Sequence, residues 1–366
     1  VRGTSTYKGV KRSFTAVAGS LAGLLLLAAC SDSDSDKPDV EVAVDDETCK
    51  RNEDAGTITY ISGYGYSASA GQMDVFIADE LGYFDELCLD VDINAAGADG
   101  QQLVSSGQAQ FTALGTASDV LLAATNSENL TAVATYGDSS PISIFANEKI
   151  QDLTDLHGGS LGYFINLSPI AMATLSEAGA DLDQIEEIKM TNYDPTVVTR
   201  GQVDAIVGYT SNQPETLKAM DEPFSEFVPS DYGIQGTYNI MEVNSQFLNE
   251  NREAVEDFMR ADLKALQYCL ENGDECLEIM DDLAQKAQQG DAFPKEQNER
   301  TWKVESQWVD ETHPGVQTEE MWEEEYEIVE KYGDVDQLPA LSEVMDVDLV
   351  ADLFDGDELI WPGDDQ

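Results

Sequence analysis

Short β-like runs alternate with amphipathic helical stretches from residue 57 onward, and the alternation restarts near residue 150. Strands separated by helices specify mainly parallel sheets with helices on both faces. The first series reads as strands over 57–61, 89–93, 110–114 and 132–135. Its helices fall over 72–81, 100–106 and 118–124, with Met73, Phe76, Ile77 and Leu81 at helical spacing in the first. The second series opens with Asp152-Leu153-Thr154-Asp155-Leu156-His157-Gly158-Gly159, a short helix that stops at glycine. Strands over 160–163, 187–190 and 205–209 follow, with helices over 169–177 and 196–201. Two α/β units in tandem suggest two lobes, and the strand-like run 239–243 offers a return to the first. Beyond 247 the chain reads as helical, with Val255, Phe258, Met259, Leu263 and Leu266 forming an apolar stripe over 252–270. Trp302, Trp308 and Trp322 fit core packing better than a ligand cage. The acidic stretch 346–366, with isolated apolar residues, is expected to pack loosely or be partly disordered.

The amino terminus carries Arg2, Lys8, Lys11 and Arg12, then an apolar run over 14–29 that ends in Leu27-Ala28-Ala29-Cys30. A basic head, a short apolar middle and small residues before a cut site describe an export signal. The run is shorter than the roughly 20 residues of a membrane-spanning helix. Its last four residues resemble the bacterial lipobox, which implies cleavage after 29 and lipid on Cys30; a simple signal-anchor helix is the alternative. Ser31-Asp32-Ser33-Asp34-Ser35-Asp36 has nothing to bury and opens an acidic tether assigned to 30–55. These features place the protein outside the cytoplasm, held on the cell membrane.

Acidic residues number 72 against 19 basic ones, for a formal charge of −53. Such a surface repels phosphate backbones and anionic lipids, which argues against nucleic acid as a partner. The acids are spread along a chain that is 42% hydrophobic, so it is not a disordered polyanion. A hydrated carboxylate coat suits saline water, where screening removes most self-repulsion; the plainer reading is solubility. Four cysteines accompany Cys30. An even set in an oxidising compartment suggests two disulfides, Cys49 with Cys88 and Cys269 with Cys276. The second closure needs the Asn272-Gly273-Asp274 turn, because an unbroken helix would hold the two Cα atoms too far apart. A metal site is the rival, but no Cys-x-x-Cys occurs and neither His157 nor His313 lies near a cysteine in sequence. No metal and no cofactor are expected.

Several segments resemble known proteins. Ala78-Asp79-Glu80-Leu81-Gly82-Tyr83-Phe84-Asp85-Glu86-Leu87-Cys88-Leu89-Asp90-Val91 resembles the opening of solute-binding proteins related to thiamine-pyrimidine synthase. Residues 103–111, the junction Asp155-Leu156-His157-Gly158-Gly159-Ser160-Leu161-Gly162, and Gly201-Gln202-Val203-Asp204-Ala205-Ile206 with Ser211-Asn212-Gln213-Pro214 are similar to later segments of that family in the same order. The resemblance implies a two-lobed, hinged type II periplasmic-binding-protein fold that delivers thiamine-pyrimidine precursors, riboflavin or related molecules to an ABC permease. Sulfonate- and nitrate-binding proteins are close relatives. It implies a division into signal 1–29, tether 30–55, lobe 1 over 56–140 plus 238–366, and lobe 2 over 141–237, acting as a monomer. Each matching segment also has a structural reading, such as a helix cap or core aromatics.

Ligands in open α/β sheets sit beyond the carboxyl ends of the strands. Those ends carry Tyr64, Tyr66, Ser67 and Ser69; Thr116 and Ser118; Tyr136 and Asp138; Asn166 and Ser168; and Tyr209, Ser211 and Asn212. Ser211 or Asn212 can bind a ligand or merely cap the next helix. These loops hold tyrosines, hydroxyls and amides, and no Lys or Arg. Tyrosine offers a flat face and a hydroxyl, so a planar neutral or weakly cationic heterocycle is the expected ligand, with Asp138 a partner for an amino group. Helix N-termini can also hold anions such as sulfonate or nitrate. The family's pyrimidine synthase uses histidine and a cysteine-rich cluster, which this sequence lacks, so no enzymatic activity is expected.

Overall fold

A computed structural model describes residues 40–95, 99–127, 129–164, 166–191 and 194–363. The expected signal segment and Cys30 lie outside the described residues. In chain order the strands are β1 (Ile58–Ile61), β2 (Val91–Asn94), β3 (Phe111–Leu114), β4 (Leu130–Gly137), β5 (Ile142–Asn147) and β6 (Ser160–Tyr163). Then come β7 (Glu186–Lys189), β8 (Ala205–Tyr209), β9 (Phe224–Phe227), β10 (Tyr238–Asn244), β11 (Phe354–Asp355) and β12 (Glu358–Leu359). The helices are α1 (Asp46–Asp54), α2 (Met73–Glu80), α3 (Tyr83–Glu86), α4 (Gly100–Ser105), α5 (Ala117–Ala124), α6 (Pro169–Glu177) and α7 (Thr196–Thr199). They continue as α8 (Gln213–Ala219), α9 (Ser245–Glu250), α10 (Arg252–Glu271), α11 (Gly273–Lys286), α12 (Lys295–Glu305), α13 (Glu319–Tyr332) and α14 (Leu341–Val344).

Two five-stranded sheets organise two lobes, in the orders β2-β1-β3-β10-β4 and β7-β6-β8-β5-β9. Within each, four strands run one way and one runs against them: β10 in the first and β5 in the second. Those two are the strands laid down directly after the chain passes between sheets, through residues 138–141 and 228–237. A chain that leaves the end of one sheet enters the next without a crossover helix, so the entering strand is antiparallel. Each lobe is therefore mainly parallel, as expected, with one reversed strand.

The first lobe's core forms where α10 crosses α2. The Phe258 ring stacks against Phe84 at 5.1 Å and Phe111 at 4.1 Å, joining α10 to α3 and β3. Each such ring, fully buried, stabilises the fold by about 1.5–3 kcal/mol. Gly82 follows α2 at φ +78°, and a Cβ there would lie 2.4 Å from Val40 Cγ2. Glycine alone meets both demands.

Both expected disulfides are present, Cys49–Cys88 and Cys269–Cys276. The second has a Cα–Cα distance of 5.7 Å because Asn272 breaks the helix between α10 and α11.

The structure departs from the sequence reading in three places. Strands β5 and β9 were not expected. Ile142–Asn147 is almost wholly buried, so it shows no polar–apolar alternation to mark it. Residues 46–54, assigned to the tether, form α1, docked by Arg51 on Asp257 at 2.7 Å and by Asn52 on Leu87 O and Asp257. The stretch 346–366, expected to be loose, is instead packed over its described residues, 346–363. Leu349, Val350 and Leu353 are buried in the first core, and Lys264 Nζ lies 3.5 Å above the Trp361 ring. Their spacing puts those three residues on a single apolar face, leaving Asp348 and Asp352 exposed.

Candidate ligand-binding cleft

The loop after β1 is held rigid by its own polar groups. Ser62 Oγ donates to Gly65 O and Gln72 Oε1, both at 2.6 Å, and Gln72 Nε2 donates to Ala113 O at 3.3 Å. Asn298 on α12 braces it from outside, donating to Tyr66 O at 2.9 Å and accepting from Ala68 N at 3.2 Å. The Tyr66 ring packs on Phe76 and Phe293, with Ser67 and Ser69 hydroxyls 3.3 Å apart beside it.

Tyr64 extends from this loop to meet Tyr209, which ends β8 in the other lobe. Their hydroxyls are 2.9 Å apart and their rings meet edge to face at 6.0 Å. Gly115, just after β3, makes room for both: a Cβ there would lie 1.9 Å from Tyr209 Oη and 3.1 Å from Tyr64 Oη. Burial first, then Tyr64 and Asp119, push the Tyr209 phenol well above its usual range. It is a neutral hydrogen-bonding group with a flat face.

Two buried glutamates order the remaining loops. Glu305 on α12 accepts hydrogen bonds from Ser211 and Tyr238 and interacts with Ser69, so it ties the loop after β8 to the first lobe. Gln297 adds a 3.3 Å bond to Asn212 Oδ1. Glu325 on α13 accepts from Ser118 N at 2.8 Å, Ser118 Oγ at 2.6 Å and Thr237 Oγ1 at 2.7 Å. Thr237 Oγ1 in turn accepts from Ala117 N at 2.7 Å. Burial raises both carboxyls above their ordinary range, and these hydrogen bonds offset part of that rise. The α13 helix packs on both lobes, Trp322 and Val329 on the first and Ile328 on the second.

Tyr64, Ser69, Thr116, Ser118, Tyr209, Ser211 and Asn212 are thus gathered where the two sheets face each other. Thr116 forms a capping box with Asp119 at the start of α5. Tyr136 stands behind this layer: it is fully buried under Gly71, and its hydroxyl donates to Asp262 at 2.6 Å. Asp138 and Asn166 are exposed, and half-buried Ser168 contributes its carbonyl to Met172 N in α6. Among the described residues no group of three or more His, Cys, Asp or Glu could hold a metal ion.

Sequence reasoning missed Asp119, Glu305 and Glu325, and the spacing role of Gly115. Thr116-x-x-Asp119 was readable as a capping box. Nothing marked the glutamates among so many acids.

A sequence profile of the NMT1/THI5-like family matches residues 70–276, more than half of the chain. The chain belongs to the NMT1/THI5-like family. Over 215 residues it is 30% identical to the formylaminopyrimidine-binding protein of Halalkalibacterium halodurans, covering 56% of this chain and 64% of that protein. It is 27% identical over 197 residues to the riboflavin-binding protein RibY of Chloroflexus aurantiacus, covering 51% and 54%. The chain therefore spans less than two thirds of the length of these curated relatives. The aliphatic sulphonate binding protein SsuA of Escherichia coli superposes with a TM-score of 0.60 at 12% identity, over 78% of this chain and 91% of that one. That likeness shows the two-lobed periplasmic-binding-protein fold for this member of the NMT1/THI5-like family. Among the described residues no helix is long and apolar enough to cross a membrane.

Proposed function

We propose that the chain is the extracytoplasmic solute-binding component of an ABC importer, capturing a small planar heterocycle between its lobes. The contact that carries this reading is Tyr64 against Tyr209, two aromatic hydroxyls meeting across the lobes at 2.9 Å. A flat ring inserted there replaces the hydroxyl–hydroxyl bond with stacking and two polar contacts. Ligand contacts to both lobes count fully only in the closed arrangement, so binding shifts the balance toward it. The lobe division 56–140 plus 238–366 against 141–237 supplies the moving bodies. The closed form docks on the permease. The lipobox-like run ending at Cys30 supports anchorage of a monomer on the membrane.

The relatives that bind a formylaminopyrimidine and riboflavin support a heterocycle. Sulfonate-type anions are the second reading, since SsuA shares the fold. Against it, the amides of Ala117 and Ser118 that an anion would use at α5 are already taken by Thr237 and Glu325. An enzyme like the pyrimidine synthase is less fitting. His157 accepts from Asp181 N and His313 contacts Gly356 O, both at exposed positions, and the four described cysteines are in disulfides.

Isothermal titration with 4-amino-2-methylpyrimidine, riboflavin and an alkanesulfonate tests the proposal. A heterocycle should bind without turnover, and Tyr64→Ala and Asn212→Ala should each weaken it in folded protein. Binding of the sulfonate alone, or unchanged affinity in both variants, would remove the basis for this reading.

A further inference from the structure

Two neighbouring stripes of α12 face different lobes. Asn298 and Trp302, four residues apart, face the first: Trp302 is buried in its core, and Asn298 donates to Tyr66 O at 2.9 Å. Just past the helix, Val309 pairs with Gly137 in an antiparallel bridge, and the Trp308 ring meets Tyr238 edge to face at 5.2 Å. Gly137 ends β4 and Tyr238 begins β10, so α12 is stitched to the first-lobe ends of both crossovers. The adjacent stripe, Gln297, Thr301 and Glu305 at the same spacing, reaches the loop after β8 in the second lobe. Gln297 Nε2 donates to Asn212 Oδ1 at 3.3 Å and Thr301 Oγ1 donates to Ser211 O at 3.4 Å. Glu305 Oε1 accepts from the Ser211 hydroxyl, while its Oε2 accepts from Tyr238 in the first lobe.

A hinge motion turns the second lobe about residues 138–141 and 228–237 and leaves contacts within the first lobe in place. Opening therefore keeps the Asn298, Trp302 and Tyr238 contacts of α12 and breaks those to Ser211 and Asn212. The Ser211 bond is the costly one to lose, because its acceptor is a carboxyl only 2% exposed that water replaces poorly. We propose that α12 is a latch, carried by the first lobe and gripping the loop after β8 through Gln297, Thr301 and Glu305, so that the closed arrangement predominates before any solute enters. The latch rests on the lobe motion of the proposed function and is independent of which solute is captured. It makes the balance between open and closed lobes a property of the protein's own groups, which solute contacts then add to. Entry and release both wait on unlatching.

The test measures the distance between the lobes in buffer without solute. Strands β2 and β7 are the sheet edges farthest in strand order from the crossovers, and Asp92 and Glu187 are exposed on them. Nitroxide labels on Asp92→Cys and Glu187→Cys, in the full chain carrying Cys30→Ser, report opening by pulsed electron paramagnetic resonance. The latched chain should give one predominant short distance. Ser211→Ala combined with Gln297→Ala, checked for folding by circular dichroism, should lower the closed-to-open ratio by about tenfold or more and bring in a longer distance. Tyr238→Phe removes a hydroxyl from the same carboxyl without touching the second lobe, and should leave the distance as it was. A long distance already predominant in the parent, a double variant that matches the parent, or equal opening in Tyr238→Phe would each overturn the latch. None of these results bears on which ring the cleft binds, which the titrations above decide.

Discussion

Ser211, at the end of a second-lobe strand, donates its hydroxyl to Glu305, a carboxyl on α12 that is only 2% exposed. The same carboxyl accepts from Tyr238 in the first lobe's reversed strand. One buried group thus joins the two lobes beside the cleft floor, and its removal strands several donors at once. Each buried donor left without a partner costs about 1–3 kcal/mol. Glu305→Ala should lower unfolding stability by about 3 kcal/mol or more, measured by urea denaturation. Ser211→Ala, which deletes one donor and leaves Tyr238 paired, should cost much less. Equal losses in the two variants would mean that Glu305 acts through the Ser211 contact alone.

Gly115 is a spacing residue for the tyrosine pair. Gly115→Ala puts a methyl group where Tyr209 Oη now lies, so one ring or the strand end must move. Overpacking of this kind costs about 1–3 kcal/mol. Affinity for 4-amino-2-methylpyrimidine should fall by about tenfold or more while the circular dichroism spectrum is retained. Wild-type affinity in this variant would place the ligand away from the tyrosines.

Stability should fall as pH rises. Burial, only partly opposed by Gln101, pushes the Glu242 carboxyl from 4.5 up to about 8. Burial also raises Asp74 and Asp262, which share a hydrogen bond deep in the first lobe. The folded chain therefore keeps protons that the unfolded chain releases near pH 4.5. For Glu242 this stabilisation is complete below that point and lost as pH climbs through about 8. The full loss is on the order of 5 kcal/mol. Urea midpoints at pH 5, 7 and 9 should decline, and Glu242→Gln should flatten the decline between pH 5 and about 8. A midpoint that rises with pH would contradict the assignment.

A formal charge of −53 acts on the folded form as self-repulsion. Salt shortens the reach of that repulsion to about 3 Å at 1 M ionic strength. The melting temperature should rise steadily between low salt and molar NaCl. A melting temperature indifferent to NaCl would show that the acids serve solubility alone.

Much of the architecture was legible because it depends on neighbours along the chain. The apolar stripe of α10, the glycine stop after Leu156 and the turn at Asn272 are local signals with fixed periods or angles. The loops after β1, β3 and β8 were expected to converge because ligands in such sheets lie beyond strand ends, and Tyr64, Gly115 and Tyr209 do meet. Tyr136 shows the limit of that rule. It ends a strand like the others, yet its hydroxyl is turned inward to Asp262, which lies far along the chain on α10.

By itself, the sequence determined the alternation of strands and helices, the two disulfide pairs and the uncharged, tyrosine-bearing loops. Only the tertiary structure decided which acids matter. Glu242, Glu305 and Glu325 look like any of the other carboxylates until folding takes water from around them and sets each beside a distant partner. Local pattern fixes where a side chain can point; long-range packing fixes what it meets, and that encounter sets its charge and its role.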